Sequence, residues 1–592
     1  MTAFLQKKHR LLAWLSLALS VLGMGMLFWR NSQEQLWSYW TLFTLLFGWM
    51  GLSLFVHRKQ LKNTAGAQYF LATTLSGLLL ALAFPWSNMP SGFLAFFAWI
   101  PLLLTLEKLE TQKAKRKVLF GWSLNTFMIW NIVATYWVAN SSLPAGLFAI
   151  IVNSALMGIP VLLAMQVRPY LGRLAWVPLV AFWLCFEQMH YVWELNWPWL
   201  SLGNVWATAP ALVQWYTLTG VLGGTLWLWI INLLIKKNWV AFRQKSWQRS
   251  QALPLVLSLC LPVGISLFQY TAYEEQGFNQ EVIVGQPNVE PFYQRPLMDE
   301  TVMLQKLLDL SLVQVSPQTD YIVFPEATLD FAEQDYMYRA PQVEALRKKV
   351  LDNFPNSRIV IGTDAFRFLK PNEKPSRYSR KREKGETVEY FEVYNAAIQI
   401  DTAENHVQFY KKSKLVPGAE LFPYPNLLAF LKPIVESLGG TMAGRGAQKE
   451  RAVFSSQKAK IVPAICYESV FGAHLAAHIR NGAEAIFIIT NDAWWDHTAG
   501  HIQHFHYARL RAVENRRSVA RAANTGISGF INQRGDVLQR SKYQETTSLK
   551  STIQFNNQQT YYTKNPNTIA RFALFAAIAF LLNGFVKSRL PK

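Results

Sequence analysis

The chain has 592 residues, of which 51% are apolar, 14% aromatic and only 16% charged, and its 58 Lys and Arg against 37 Asp and Glu leave a net charge of +21. The length is enough for two to four domains at roughly 150 residues each. The 23 Trp and 38 Phe exclude a disordered chain, the charged fraction falls below the roughly one quarter usual in soluble proteins, and three Cys (Cys185, Cys260, Cys466) exclude a disulfide scaffold or a Cys-rich zinc module.

The apolar residues concentrate in the first 270 positions, in spans at about 11–29, 37–56, 67–84, 92–106, 118–138, 143–166, 174–190, 211–235 and 253–270, with one more near 569–586. Most reach the ~17–25 residues that a ~30 Å hydrocarbon core requires, the fourth and seventh being short or polar at one end. Alternate connections carry Lys7, Lys8 and Arg10; Arg58, Lys59 and Lys62; Lys108, Lys113, Lys115, Arg116 and Lys117; Arg168 and Arg173; then Lys236, Lys237, Arg243, Lys245 and Arg249. With Lys587, Arg589 and Lys592 of the tail, 21 basic residues fall on one side, and only Arg30 lies in the short connections of the other. The positive-inside rule then predicts nine spans with a cytoplasmic N-terminus, an extracytoplasmic segment, and a last span returning to the cytoplasm. The expected division is 1–270 for the membrane domain, 271–568 for the external domain and 569–592 for the final span and tail. The first span resembles a signal peptide, but Arg30 and Asn31 follow it without a small-residue cleavage pattern, which predicts retention. The external segment holds 35 basic and 32 acidic residues, so the surplus charge marks topology and not a nucleic-acid partner.

In the external segment short β-branched runs recur at Glu281–Gly285, Tyr321–Phe324, Arg358–Gly362, Ala396–Ile400, Lys460–Ile465 and Ala485–Thr490, with helical stretches such as Met303–Leu312 and Gln342–Leu351 between them. This alternation predicts an α/β domain, read as an open sheet covered by helices, with active residues just past strand ends. Pro325-Glu326, Cys466-Tyr467-Glu468 and Asn491-Asp492 sit there. Cys466 is the only Cys of the segment, so it has no intradomain disulfide partner, and a polar pair follows it where a core strand stays apolar. Glu326 suits a proton shuttle, since partial burial raises a carboxyl pKa. Lys411, Lys412 and Lys414 lie close together, and spacing does not choose among them. His497, His501, His504 and His506 have no carboxylate motif to complete a metal site, and packing explains them better. Leu427, Leu428, Phe430, Leu431 and Ile434 suggest either a core helix or an apolar arm dipping towards lipid. The stretch from Arg367 to Lys384 has eight Lys and Arg and reads as an exposed loop. Glu187, near the external end of the seventh span, is either a functional carboxylate or an organiser of Trp197-Pro198-Trp199.

Phe324-Pro325-Glu326, Tyr410-x-Lys412-x-x-Leu415-Val416-Pro417 and Cys466-Tyr467-Glu468 resemble the three signatures of the nitrilase (carbon–nitrogen hydrolase) superfamily. Gln286-Pro287-Asn288, Asn491-Asp492-Ala493-Trp494, Gln503-His504, Arg511-Ala512-Val513-Glu514 and Arg521 to Ser528 narrow this to the apolipoprotein N-acyltransferase family, as do Glu187, Trp197-Pro198-Trp199 and Gln214-Trp215. The resemblance implies a polytopic α-helical membrane protein with an extracytoplasmic nitrilase-like α-β-β-α sandwich. It implies a triad of Glu326, Lys412 and Cys466, a supporting carboxylate at Glu420, and functional roles for Tyr467 and Glu468. It implies no cofactor or metal, a phospholipid acyl donor, a diacylated apolipoprotein acceptor, and a place in the bacterial inner membrane facing the periplasm. Two departures stand out: Val416-Pro417-Gly418-Ala419-Glu420 replaces the usual Val-Pro-Phe-Gly-Glu, and the first two spans look like additions, which leave parity unchanged. A membrane-tethered amidase using a soluble substrate is the alternative. A transporter is disfavoured because the spans offer few intramembrane ionisable groups and no evident internal repeat.

Overall fold

The computed structural model describes residues 1–384, 387–431, 433 and 444–589. Helices occupy Thr2–Ser32, Trp40–Val56, Thr64–Leu82, Ile100–Thr111, Arg116–Thr135, Leu143–Val167, Val177–Val192, Tyr216–Arg243, Ala252–Ala272 and Thr568–Arg589, one for each expected span. Among the described residues eight helical segments are long and apolar enough to cross a membrane, and Trp40–Val56 is a shorter apolar helix. The seventh, Val177–Val192, is also short at 16 residues, and the fourth begins with a 3₁₀ turn at Gly92–Phe96. The chain is a multi-pass membrane protein.

Arg116–Thr135 lies at the centre of the bundle, whereas Ala252–Ala272 buries little of itself and turns Leu253, Leu261 and Phe268 outward. Apolar side chains that face outward suit hydrocarbon, and inside the bundle polar groups join helices where packing alone is weak. Asn125 takes Ser53 Oγ at 2.7 Å and gives Nδ2 to Thr73 Oγ1 at 3.0 Å. Trp99, Trp130, Trp183 and Trp229 pack edge-on or tilted around one another in the core. The connections bearing the basic residues meet at one end: Glu107 takes Arg168 at 2.9 Å and Lys236 at 2.5 Å, and Lys587 Nζ donates to Tyr170 O at 3.0 Å. The intervening connections meet the α/β domain. Ser38 N donates to Asp496 Oδ2 at 2.7 Å, Asn140 Nδ2 to Trp495 O at 3.5 Å, and Gln214 Nε2 to Arg534 O at 2.9 Å. Charge alternation along the sequence is thus matched by a separation in space.

The α/β domain has two sheets, not the single open sheet that strand–helix alternation suggests. The larger has eight strands, in the order Thr547–Phe555, Phe278–Gln286, Thr319–Val323, Arg358–Phe368, Thr387–Ile400 and Arg380–Lys384, with Leu329–Glu333 and Gln408–Lys411 pairing off this path. The second runs Val537–Arg540, Gly529–Ile531, Val519–Ala523, Ala485–Thr490, Lys460–Ile465 and Phe454–Ser455. Val284, Tyr321, Val360, Ile465 and Phe487 fill the space between the sheets. Leu307 and Val343 of two helices cover the outer face of the first sheet, and Leu475 and Phe505 of two others cover the second. The layers are therefore α-β-β-α. Apolar runs such as Ala485–Thr490 are fully buried because both sheet faces are covered. The basic stretch from Arg367 to Lys384 is only partly a loop, since Arg380–Lys384 pairs antiparallel with Thr387–Phe391 as an edge strand. Lysine and arginine suit such an edge because they discourage further pairing.

Candidate active site

Glu326, Cys466 and Asn491 each follow a parallel strand, and all three gather at one end of the sandwich. The Pro325-Glu326 turn lies against Gly362, whose N–H donates to Pro325 O at 2.9 Å. A Cβ on Gly362 would fall 2.5 Å from Glu326 Cα, so only glycine permits this approach. Cys466 ends its strand at φ +49°, left-handed for a residue with a Cβ. Such a conformation costs about 1–3 kcal/mol and persists where its surroundings over-determine it. Here Ser469 Oγ donates to Cys466 O at 2.7 Å, and His504 Nε2 faces the same oxygen at 3.2 Å. His504 Nδ1 lies 2.9 Å from Asp492 Oδ1, and Asp492 also takes Arg521 Nη2 at 2.5 Å. His504 therefore braces the backbone of Cys466. Its sequence neighbours turn elsewhere, His497 and His501 stacking on Tyr543 and His506 Nε2 meeting Asn88 Oδ1 at 3.1 Å.

Of the three neighbouring lysines, Lys412 faces the carboxylates. Its Nζ lies 3.0 Å from Glu326 Oε1 and 3.0 Å from the Glu420 carboxylate, all three residues being buried. Lys411 Nζ instead sits 3.7 Å from the Tyr394 ring centre, and Lys414 Nζ donates to Tyr191 O at 3.1 Å. Asn395, missed in the sequence reading, donates Nδ2 to Glu326 Oε1 at 2.7 Å and to Glu420 Oε1 at 2.8 Å. Asn395 is two residues from Ala397, which packs between the sheets, but Glu389, Glu392 and Gln399 of the same strand keep a single polar residue from standing out. Asn491 N reaches Glu326 Oε2 at 3.2 Å, and Val416 N reaches Glu420 Oε2 at 3.0 Å.

These contacts set the charges. Burial disfavours the Lys412 ammonium, but Glu326 and Glu420 outweigh it and hold the group above the ordinary lysine range. Burial likewise opposes ionisation of Glu420, while Lys412 and Arg445 bring its carboxyl below the usual value. Burial first and the Glu326 charge second push the Cys466 thiol well up, with Lys412 acting the other way. The resting group is a thiol, and forming the thiolate requires a base beside it.

Both carboxylate oxygens of Glu468 are engaged. It accepts Ser413 N at 2.7 Å, Lys414 N at 3.2 Å, Tyr410 Oη at 2.8 Å and Ile465 N at 2.9 Å. It thereby fastens the Lys412 segment to the Cys466 strand. Tyr467 Oη donates to Asn196 O at 3.0 Å, and its ring stacks on Trp199 with centroids 6.2 Å apart. The seventh membrane helix supports this loop through Glu187, which accepts Trp183 Nε1 at 2.9 Å, Leu202 N at 3.0 Å and Thr225 Oγ1 at 2.7 Å. Glu187 is an organiser.

Val416, Pro417 and Gly418, between Lys412 and Glu420, line a cavity of about 280 Å³ whose far wall is the Leu143–Val167 helix with Ala145, Phe148 and Leu156. Phe422 and Leu428 of the apolar arm close one side. Leu427 and Phe430 are 73% and 71% exposed, so neither is a core residue; the side chain of Leu431, and Ile434, lie outside the described residues. Glu194 holds two external segments, taking Arg377 Nη1 at 2.7 Å and Tyr424 N at 2.7 Å.

Two domain-family models match the chain: carbon-nitrogen hydrolase over residues 284–562 and the apolipoprotein N-acyltransferase N-terminal domain over residues 76–234. The sandwich is thus a carbon–nitrogen hydrolase domain, carried here on a multi-pass membrane domain. The apolipoprotein N-acyltransferase of Chlorobaculum tepidum is 27% identical over 549 residues, spanning 90% of this chain and 99% of that protein. That of Geobacter metallireducens is 27% identical over 528 residues, spanning 86% and 95%. Among solved structures, Saccharomyces cerevisiae Nit3, of the nitrilase superfamily, aligns over 50% of this chain and 94% of its own at 15% identity, with a TM-score of 0.32. The chain belongs to the apolipoprotein N-acyltransferase family. Its first two helices precede the matched segments.

Proposed function

We propose that this protein moves an acyl chain from a membrane phospholipid to the N-terminal α-amine of an S-diacylglyceryl-cysteine in apolipoproteins, at the periplasmic face of the bacterial inner membrane. One observation carries the reading: the segment Val416–Gly418, which joins buried Lys412 to its partner Glu420, lines an apolar cavity walled by a membrane helix. Residues 1–270 form the membrane domain on this reading, 271–568 the catalytic domain, and 569–592 a closing anchor.

Transfer of an ester acyl group to an amine is eased by a covalent intermediate. Glu326 takes the Cys466 proton as sulfur attacks the ester carbonyl. Lys412, with the Tyr467 N–H, stabilises the tetrahedral oxyanion. Glu326 then protonates the departing lysophospholipid oxygen, leaving a thioester. In the second half Glu326 accepts a proton from the incoming α-amine, and the thiolate leaves as the amide forms. Glu420 and Asn395 position Lys412, and Glu468 fixes the loop that carries it. Each step is a proton transfer or substitution at a carbonyl, so the reading calls for no metal or cofactor.

Enzyme incubated with phospholipid alone is expected to gain the mass of one fatty acyl chain on Cys466, removable by neutral hydroxylamine, with release of one lysophospholipid. A diacylated lipopeptide with a free α-amine should discharge it, and an N-blocked one should not. Folded enzyme that no phospholipid acylates, but that releases ammonia or an amine from a soluble amide, would establish the tethered amidase instead.

A further inference from the structure

The cavity lined by Val416, Pro417 and Gly418 is apolar over most of its wall, yet Asn153, His190, Asn196 and Trp197 also line it. Three have a buried polar atom for which no hydrogen-bond partner is found among the described residues, Asn153 Oδ1, Asn196 Oδ1 and Trp197 Nε1, while the His190 ring bonds Trp193 and the Leu195 backbone. Buried polar atoms in native proteins are satisfied in the large majority of cases, so several around one cavity point to a ligand with polar atoms of its own.

One of the three is a donor: Trp197 Nε1 only donates. His190 lies near the external end of the Val177–Val192 helix, and Trp197 lies in the loop that follows. That level is the membrane interface, where the ester groups of glycerolipids lie. The donor is also tied to the reaction centre, because Tyr467, next to Cys466, bonds the peptide oxygen of Asn196.

We propose that Trp197 Nε1–H forms a subsite for a second ester carbonyl of a glycerolipid, distinct from the carbonyl that Cys466 attacks. This rests on the acyl-transfer reading above. The ligand is a glycerol diester with two ester carbonyls: one reacts and the other registers the molecule in the cavity. Donor phospholipid and diacylglyceryl acceptor share this element, so one subsite holds each in turn. Asn153 and Asn196, as acceptors, play no part in reading an ester.

The experiment removes either the protein donor or the lipid carbonyl. Full-length enzyme in nanodiscs is supplied with diester phosphatidylethanolamine or with its two mono-ether analogues, in which an alkyl ether replaces the sn-1 or the sn-2 ester; the analogue that retains the reactive ester is compared. Cys466 acylation and lysolipid release are followed for wild type and Trp197→Phe. One net hydrogen bond corresponds to about 3- to 10-fold. Wild type should favour the diester by that factor in kcat/KM. Trp197→Phe should lose activity towards the diester while leaving the ether analogue unchanged. Equal use of both lipids by wild type, or an equal loss on both in the variant, overturns the subsite while leaving acyl transfer intact. Failure of every lipid to acylate Cys466 overturns the acyl-transfer reading and the subsite with it.

Discussion

The Tyr467 hydroxyl donates to the Asn196 carbonyl at 3.0 Å, which joins the residue after Cys466 to the loop following the seventh membrane helix. The Cys466 turn and the wall of the apolar cavity are therefore one mechanical unit. Tyr467→Phe keeps the ring against Trp199 and removes only the donor, stranding a buried carbonyl at a cost of about 1–3 kcal/mol. The expected result is a modestly lower melting temperature in detergent and a KM for phospholipid that rises more than kcat falls.

Lys412→Ala should lower turnover by about 10²–10³ or more, as expected when an oxyanion donor is lost. It should also destabilise the protein, because Glu326 and Glu420 lose the cation between them; breaking a buried pair typically costs about 3–5 kcal/mol. Lys411→Ala and Lys414→Ala should keep most activity, their amines being spent on the Tyr394 ring and the Tyr191 carbonyl. Acyl-transfer rates of the three variants in parallel check this, and a dead Lys411→Ala variant would contradict it.

Glu514, in the Ala499–Asn515 helix, is held by burial at about 7 against an ordinary 4.5, although Arg511 and the Val221 N–H favour its charge. A raised carboxyl means that the folded state binds the extra proton. Its stabilising contribution is complete below pH 4.5 and is lost as pH rises through about 7. On the order of 3 kcal/mol is at stake over that window. Glu468 has the opposite sign: burial would raise it, but His474 and the Ile465 N–H hold it at about 2, so its contribution is lost only in stronger acid. Thermal melts from pH 5 to 8 should show wild type declining relative to Glu514→Gln. Parallel curves would count against the assignment.

The clustering of Glu107, Arg168 and Lys236 at the bundle end away from the sandwich supports the predicted topology. A single cysteine placed at position 300 of a background lacking Cys185, Cys260 and Cys466 should react in intact spheroplasts with a membrane-impermeant maleimide. One placed at position 588 should react only after the cells are opened.

The parts most legible in the sequence are those with local causes. Lys460–Ile465 and Ala485–Thr490 were bounded correctly because unbroken apolar runs end at polar residues. The same runs hid the second sheet, since a strand buried against another sheet and one buried against helices have the same composition. Val519–Ala523 was missed because Arg521 interrupts it, and what permits that buried cation is Asp492, 29 residues away. Lys412 was drawn out of its trio by family resemblance, and its distinction became physical only when strand pairing brought Glu326 and Glu420 to it. His504 was read only as packing, because its real partner, the backbone of Cys466, carries no signature in a side-chain pattern.

Ser38 and Asp496 are 458 positions apart, yet their hydrogen bond closes the loop that precedes the helix bearing His504. During synthesis at about 5–20 residues per second, the N-terminal hairpin waits in the bilayer for tens of seconds before its partner emerges. The seat of Cys466 is therefore among the last structures to be completed. A chain halted short of Asp496 already carries Cys466 but lacks the brace that fixes its backbone.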